Sequence, residues 1–202
     1  MSDYVASVAA PLRGPRRLRA DMVAELGDGF EEAVAEREAA GLGRDRALAE
    51  AAAEFGEPRL VAAEIQRELA AAQARRTAWT LLIALPALTI MWDLFGGDGE
   101  PALAVVLLAR LTDLATASAF TVAALVVAGR LERRAAALCG AAGLVQITVA
   151  LGCSAAISAI GASGPPGLDP ASWWWLSAGS AVGAAWIAVS AVRALRVGRT
   201  AI

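Results

Sequence analysis

The chain has 202 residues, of which 57% are hydrophobic, and a formal net charge of −2 at pH 7. This apolar fraction is too high for an ordinary soluble globular protein, and the near-neutral charge argues against direct binding to nucleic acid, which usually needs a strongly basic surface. Histidine is absent, so the side chain used most often for proton transfer and metal binding is missing.

Charged residues are concentrated at the start of the chain. Residues 1–76 contain 11 of the 18 basic and 14 of the 20 acidic residues, and long apolar runs fill most of the remainder. We therefore predict an all-α protein with a small N-terminal cytoplasmic domain of three to four helices, residues 1–76. It is followed by a four-helix transmembrane bundle, residues 77–192, and a cytoplasmic basic tail, residues 193–202.

The first two helices of the N-terminal domain are predicted from a cap and from glycine positions. Ser2 can cap the first helix, and the second runs from about Arg16 to a left-handed stop at Gly41. Gly27 and Gly29 lie inside the second helix, where each costs about 1 kcal/mol relative to alanine. We expect this helix to be bent or frayed there.

Two further helices are predicted before the first membrane span. The third covers about residues 45–55 and ends at Gly56, and Pro58 suits the first turn of the fourth. No glycine or proline separates the fourth helix from the first apolar run. We expect one continuous helix from Pro58 into the membrane.

Residues 3–76 also contain a set of short motifs. They are a basic entry at Arg16, Arg17 and Arg19, a Glu-Leu pair at 25–26 before the acidic pair at 31–32, an Ala-Gly-Leu turn at 40–42 and a Glu-Phe-Gly-Glu-Pro turn at 54–58. With these motifs the segment resembles the permease-prefix family, also called the HAAS signalling domain. It departs from the family at Glu57, where aspartate is usual, and at Gly27, where a longer polar residue is usual. The resemblance implies a regulatory protein that binds a PadR-type transcription regulator and carries out no chemistry.

The candidate partner-binding residues are charged side chains of the second helix. They are Arg16, Arg17, Arg19, Asp28, Glu31, Glu32 and Glu36. The alternative interpretation is that these charges form an ordinary solvated helix surface that needs no partner.

Four apolar stretches are long enough to cross a bilayer, which takes about 20 residues at 1.5 Å each. We predict spans at about 77–95, 101–128, 135–160 and 172–192. Arginines occupy positions 75, 76, 130, 133, 134, 193, 196 and 199, whereas the connections 96–100 and 161–171 contain no basic residue. The positive-inside rule then places both termini in the cytoplasm. Because the chain is rich in alanine and all its basic residues are arginine, we expect a bacterial plasma-membrane protein.

Arg110 and Asp113 are charged residues inside the second predicted span. Charge near the bilayer centre is costly, and a spacing of three residues lets the two side chains neutralise each other on one helix face. One interpretation is a self-satisfied pair, or an arginine that snorkels outward. The other is a polar route between spans, which makes a small transporter or permease subunit the alternative function, with another membrane subunit as its partner.

Small residues in the last two spans predict close helix packing. Span three is rich in small residues, and in span four Gly179 and Gly183 have the close-packing spacing, so we expect spans three and four to pack against each other, with a homodimer face as the alternative. Cys139 and Cys153 lie about 21 Å apart along one helix, too far for a disulfide. The sequence has no zinc spacing, phosphate-binding glycine loop or nucleophile motif, so neither a cofactor nor an enzyme activity is predicted.

Overall fold

The computed structural model describes residues 2–95, 103–131, 134–159 and 170–199, and these residues form seven α-helices and no β-strand. The helices are α1 (Asp3–Ala9), α2 (Arg16–Ala39), α3 (Arg44–Phe55), α4 (Pro58–Phe95), α5 (Leu103–Val127), α6 (Ala135–Ala159) and α7 (Pro170–Arg199). The predicted all-α class is confirmed for the described residues. Residues 96–102, 132–133, 160–169 and 200–202, which include most of the two arginine-free connections, Arg133 and the end of the predicted tail, lie outside them.

Four of the helices are long and apolar enough to span a membrane. The segments that meet this criterion are Pro58–Leu94, Leu103–Val127, Ala135–Ala159 and Trp174–Gly198. Each has the length that a bilayer requires, and together they make the chain a multi-pass membrane protein.

The chain divides into two compact units, of which the first comprises the chain up to Gln73 together with Arg199 and the second covers Ala74–Gly198. The boundary falls inside α4, which runs without a break from Pro58 to Phe95. The predicted continuous helix is therefore confirmed. Pro86 lies within this helix. Membrane helices tolerate an internal proline where neighbouring groups satisfy the carbonyl that loses its hydrogen bond.

Helix α2 is uninterrupted, so the fraying predicted at its two internal glycines was wrong. The reason is visible in what each glycine faces. A Cβ atom on Gly27 would lie 4.0 Å from the Val5 side chain, and one on Gly29 would lie 3.9 Å from the Phe55 ring. Both glycines therefore lie where α1 and α3 pack on α2, and this tertiary packing overrides their low intrinsic helix propensity.

An aromatic cluster forms one core of the first unit. The ring of Tyr4 stacks on Phe30 with 4.9 Å between centroids, and Phe55 meets both rings edge-on. The Tyr4 hydroxyl donates to the carbonyl of Gly56 at 3.0 Å, which ties α1 to the turn before α4. Ser2 caps α1 by accepting from the Val5 amide, as the sequence predicted.

A side-chain clamp fixes the connection between α1 and α2 to the start of α4. The Gln66 Oε1 accepts from the Arg13 amide at 2.8 Å, and its Nε2 donates to the Arg13 carbonyl at 2.9 Å. The next residue, Gly14, has φ +157° and lies so close to Leu69 that an added Cβ would be 3.0 Å from the Leu69 Cβ. A side chain at this position would push the connection away from α4.

In the second unit, α7 packs antiparallel to α4. Near one end the Thr77 hydroxyl lies 3.0 Å from the Ser190 hydroxyl, and near the other the Trp92 indole donates to the Ser180 hydroxyl at 3.0 Å. Because the residue number rises along one helix as it falls along the other, the two helices run in opposite directions.

Helix α7 also packs closely against α6. An added Cβ on Gly140 would lie 2.7 Å from the Ala191 carbonyl, and one on Gly143 would lie 3.2 Å from the Ala191 Cβ. The glycines of α6 thus let the two backbones approach directly, the kind of contact that holds membrane helices together.

Gly179 and Gly183 of α7 lie against a helix other than α6. Gly179 faces Met91 and Gly183 faces Leu88, so both pack on α4, the first span. The predicted packing of spans three and four is confirmed by the contacts of Gly140 and Gly143 of α6 with Ala191 of α7, whereas Gly179 and Gly183 face α4. A small-residue spacing marks a close-packing face, but it does not specify which neighbour fills it.

The antiparallel arrangement brings six arginines of the second unit to one end, which we call the basic end. Thr77 lies beside Ser190, and an added Cβ on Gly198 would lie 3.0 Å from the Ala137 amide nitrogen, so these parts of α4, α6 and α7 are neighbours. Val126 of α5 joins the same buried cluster. The exposed arginines at the basic end are Arg75, Arg76, Arg130, Arg134, Arg193 and Arg196.

Candidate functional site

Four predicted partner-binding carboxylates form one exposed column on α2, which we call the acidic stripe. It consists of Asp28, Glu31, Glu32 and Glu36. Spacings of three and four residues place them on one helix face, away from the buried Phe30 and Val34. None of the four makes a side-chain hydrogen bond or ion pair with the described part of the chain.

Three other carboxylates of the first unit are paired with arginine. Glu54 pairs with Arg37, Glu38 with Arg44 at 3.1 Å, and Glu50 with Arg46 at 3.1 Å. Arg37 lies on α2 and Arg44 and Arg46 lie on α3, and each pairs with a carboxylate outside the acidic stripe. Exposed carboxylates elsewhere in the first unit, such as Glu64 and Glu68, are also unpaired within the described residues. The stripe is therefore distinguished by its four neighbouring carboxylates on one helix face.

The predicted basic residues at the start of α2 separate into two groups. Arg16 and Arg17 are exposed, in a first turn without an acidic residue or a side-chain cap. Positive charges are unfavourable near the positive end of a helix dipole, so this pair does not stabilise the helix that carries it. Arg19 is only half-exposed and donates to the Leu12 carbonyl at 3.2 Å, which gives it a structural contact to the end of α1.

Arg110 and Asp113 lie together on α5, with 3.4 Å between the Arg110 Nη1 and the Asp113 Oδ2. Most of both side chains is exposed, 79% for Arg110 and 62% for Asp113. The helices of the second unit therefore do not enclose the pair.

An open groove of about 400 Å³ lies between α4 and α5, with Asp113 on its wall. Pro86 and Ile90 contribute from α4, and Phe120 from α5, so the lining is mostly apolar. The sequence did not predict this groove, because it forms between two helices whose neighbour relations the sequence does not state.

A buried amide lies behind the groove wall. The Gln146 Nε2 of α6 donates at 2.7 Å to the hydroxyl of Thr116, a lining residue. The Gln146 Oε1 is buried and has no hydrogen-bond partner among the described residues. This contact joins α5 to α6 in the part of the second unit that the sequence places within the membrane.

Comparison of the chain with protein-family models, with curated proteins and with solved structures finds no match. Within the described residues, no three acidic or cysteine side chains are grouped as a metal site would require.

Proposed function

We propose that the protein is a regulatory membrane protein whose N-terminal helical unit binds a PadR-type transcription regulator in the bacterial cytoplasm. The observation that carries the proposal is the unpaired acidic stripe on α2. The identity of the partner comes from the resemblance of residues 3–76 to the permease-prefix family, and the stripe supplies a surface of the kind that partner binding needs.

The energetics of α2 support a binding role for the acidic stripe. Like charges four residues apart destabilise a helix by about 0.2–0.5 kcal/mol per pair, and Asp28, Glu32 and Glu36 form two such pairs in succession. Mixed charges would give the same solubility without this cost. A partner with a basic surface removes the repulsion when it binds, and its association is accelerated by the complementary field.

The basic end of the second unit supports the cytoplasmic orientation. Six exposed arginines are gathered there, and short cytoplasmic segments collect arginine and lysine. We assign this end to the cytoplasmic side of the plasma membrane. The chain reaches Arg75 and Arg76 through the continuous helix α4, so the first unit and both termini are assigned to the cytoplasm.

Co-purification of the full-length protein from its native membrane tests the proposal. The test variant reverses the stripe with Glu31→Arg, Glu32→Arg and Glu36→Arg, and the matched control makes the same change at the exposed Glu64 and Glu68 of α4. We expect a transcription regulator to be recovered with the wild type and the control and lost with the stripe variant. Equal recovery with all three would exclude the stripe as the contact surface.

Transport is the alternative function, and it has less structural support. Most of the Arg110/Asp113 pair is exposed, whereas intramembrane charges that mark a transport pathway face the bundle interior or a water-filled cavity. The groove beside Asp113 is the feature that a transport role would use. Recovery of a transport ATPase in place of a regulator, with loss of uptake or export in Asp113→Asn at normal expression, would favour this alternative.

A further inference from the structure

Helix α5 is the least enclosed of the four membrane-spanning helices. Only 6% of its membrane-spanning window is buried, compared with 17–33% in the other three. Its outward side carries exposed residues separated alternately by four and three positions. This exposed row, which we call the α5 seam, consists of Leu103, Leu107, Arg110, Leu114, Ala117, Thr121 and Ala124, with the exposed Asp113 at its edge. Asp113, Ala117 and Thr121 also line the open groove between α4 and α5. An average spacing of 3.5 residues is the repeat with which two helices pack as a left-handed pair.

The α5 seam contains charge at a depth where lipid cannot solvate it. Asp113 lies about 15 Å from the start of α5 at 1.5 Å per residue, which is near the middle of a hydrocarbon core of about 30 Å. Residues 77–92, 135–159 and 170–192 contain no charged side chain. Asp93 lies in the last turn of α4, so the charges near the middle of the bilayer are those of the helix that its own unit encloses least.

The ion pair on one chain does not remove this problem. Arg110 and Asp113 cancel in net charge, but most of both side chains stays exposed, so guanidinium and carboxylate groups would face acyl chains. Intramembrane ionisable groups almost always face a protein neighbour or a water-filled cavity. A neighbour that offers an acid and a base at the same depth satisfies both groups.

We propose that the α5 seam is the contact surface for a second copy of this chain, with Arg110 of each copy paired to the partner's Asp113. Two copies in one membrane have the same orientation, so a two-fold axis along the membrane normal places their α5 helices parallel and at equal depth. Residues 110 and 113 differ by about 4.5 Å along the helix axis, a step that an arginine side chain can reach across. The symmetry then forms two reciprocal ion pairs.

The remaining residues of the seam fit the same arrangement. Ala117, Thr121 and Ala124 are small, and small residues let membrane helices approach closely. On the other side of the charged pair, Leu103 and Leu107 supply the larger side chains of a helix–helix contact. An unrelated subunit would need its own acid–base pair at this depth, whereas a second copy carries one by symmetry.

Cysteine cross-linking in native membranes tests the position of the interface without changing the ion pair. Ala117→Cys places a thiol on the seam, and Val182→Cys places one on α7 at a residue that is 68% exposed. The native Cys139 and Cys153 are buried, so the unsubstituted chain gives the background. We expect severalfold more covalent dimer from the seam variant than from the control. Equal yields, or cross-linking of the seam to a different protein, would overturn the proposal.

Charge exchange between two differently tagged copies tests the reciprocal pairing. Arg110→Asp leaves only carboxylates at these two positions, and Asp113→Arg leaves only guanidinium groups. We expect each variant alone to lose most self-association and the two to recover each other when expressed together. If the mixed pair associates no better than either variant alone, the pairing between copies is refuted. If neither variant accumulates in the membrane when expressed alone, the proposal requires that expressing the two together restores their accumulation. If joint expression does not restore it, the proposal is also refuted.

Discussion

Replacing Gln66 with alanine should destabilise the α1–α2 connection by about 1–3 kcal/mol. The Gln66 side chain is 4% exposed and makes two hydrogen bonds to the backbone of Arg13, at 2.8 and 2.9 Å. A hydrogen bond of this kind contributes about 0.5–1.5 kcal/mol net. Arg13 itself is exposed, so water can replace part of what its backbone loses, and the sum of two net bonds is the appropriate magnitude.

Amide hydrogen exchange of the full-length protein in micelles measures this effect locally. A loss of about 1–3 kcal/mol corresponds to about 5- to 140-fold faster exchange, because every 1.4 kcal/mol is a factor of ten. The peptides to follow cover residues 8–19. Glu64→Ala is the matched control, since Glu64 is exposed on the same helix and makes no side-chain contact in the described structure. If both variants exchange at the same rate, the clamp does not hold the connection.

Three further predictions concern packing and ionisation. Gly140→Ala should destabilise the second unit by about 1–3 kcal/mol in thermal melts in micelles, because its Cβ would lie 2.7 Å from the Ala191 carbonyl. The control is Gly152→Ala, whose Cβ meets nothing within 4 Å and which should be neutral or stabilising in the same assay. Burial raises the pKa of Tyr4, so phenolate absorbance of this single tyrosine should appear at higher pH in the folded than in the denatured protein. The contribution of the buried Tyr4 hydroxyl to stability is present below about pH 10 and falls as the pH rises. Titration of the folded and denatured protein at the same pH would contradict the burial. Gln146→Leu should change stability by less than about 1 kcal/mol, because it removes one hydrogen bond but also an unpaired buried carbonyl oxygen. A large loss of thermal stability would show that this oxygen has a partner in the membrane.

Local signals in the sequence predicted the elements of the fold well. Ser2, Gly56 and Pro58 marked helix boundaries because caps and turns depend on a few neighbouring residues. The four apolar helices were visible because bilayer thickness imposes a minimum length on each.

Contacts between distant parts of the chain were not predictable in the same way. The interior glycines of α2 suggested fraying because only their intrinsic propensity is visible in sequence, whereas their neighbours Val5 and Phe55 keep the helix intact. Gln66 gave no signal, since a glutamine on a helix has many alternative roles until Arg13 is placed beside it. The positions of Arg110 and Asp113 were identified from sequence, but their outward exposure depends on which side of α5 its neighbours cover.

The two proposed surfaces have consequences for each other because one lies on α2 and the other on α5 of the same chain. If two copies associate through the α5 seam, each assembly carries two acidic stripes, and a two-fold symmetric partner whose two binding surfaces span the distance between the stripes binds both. The second contact is then intramolecular, so its strength is set by effective concentration and not by bulk partner concentration. A partner with a single binding surface gains nothing from the pairing. Loss of the α5 contact would therefore weaken capture of a symmetric partner without altering α2, which separates an effect of assembly from an effect on the binding surface itself.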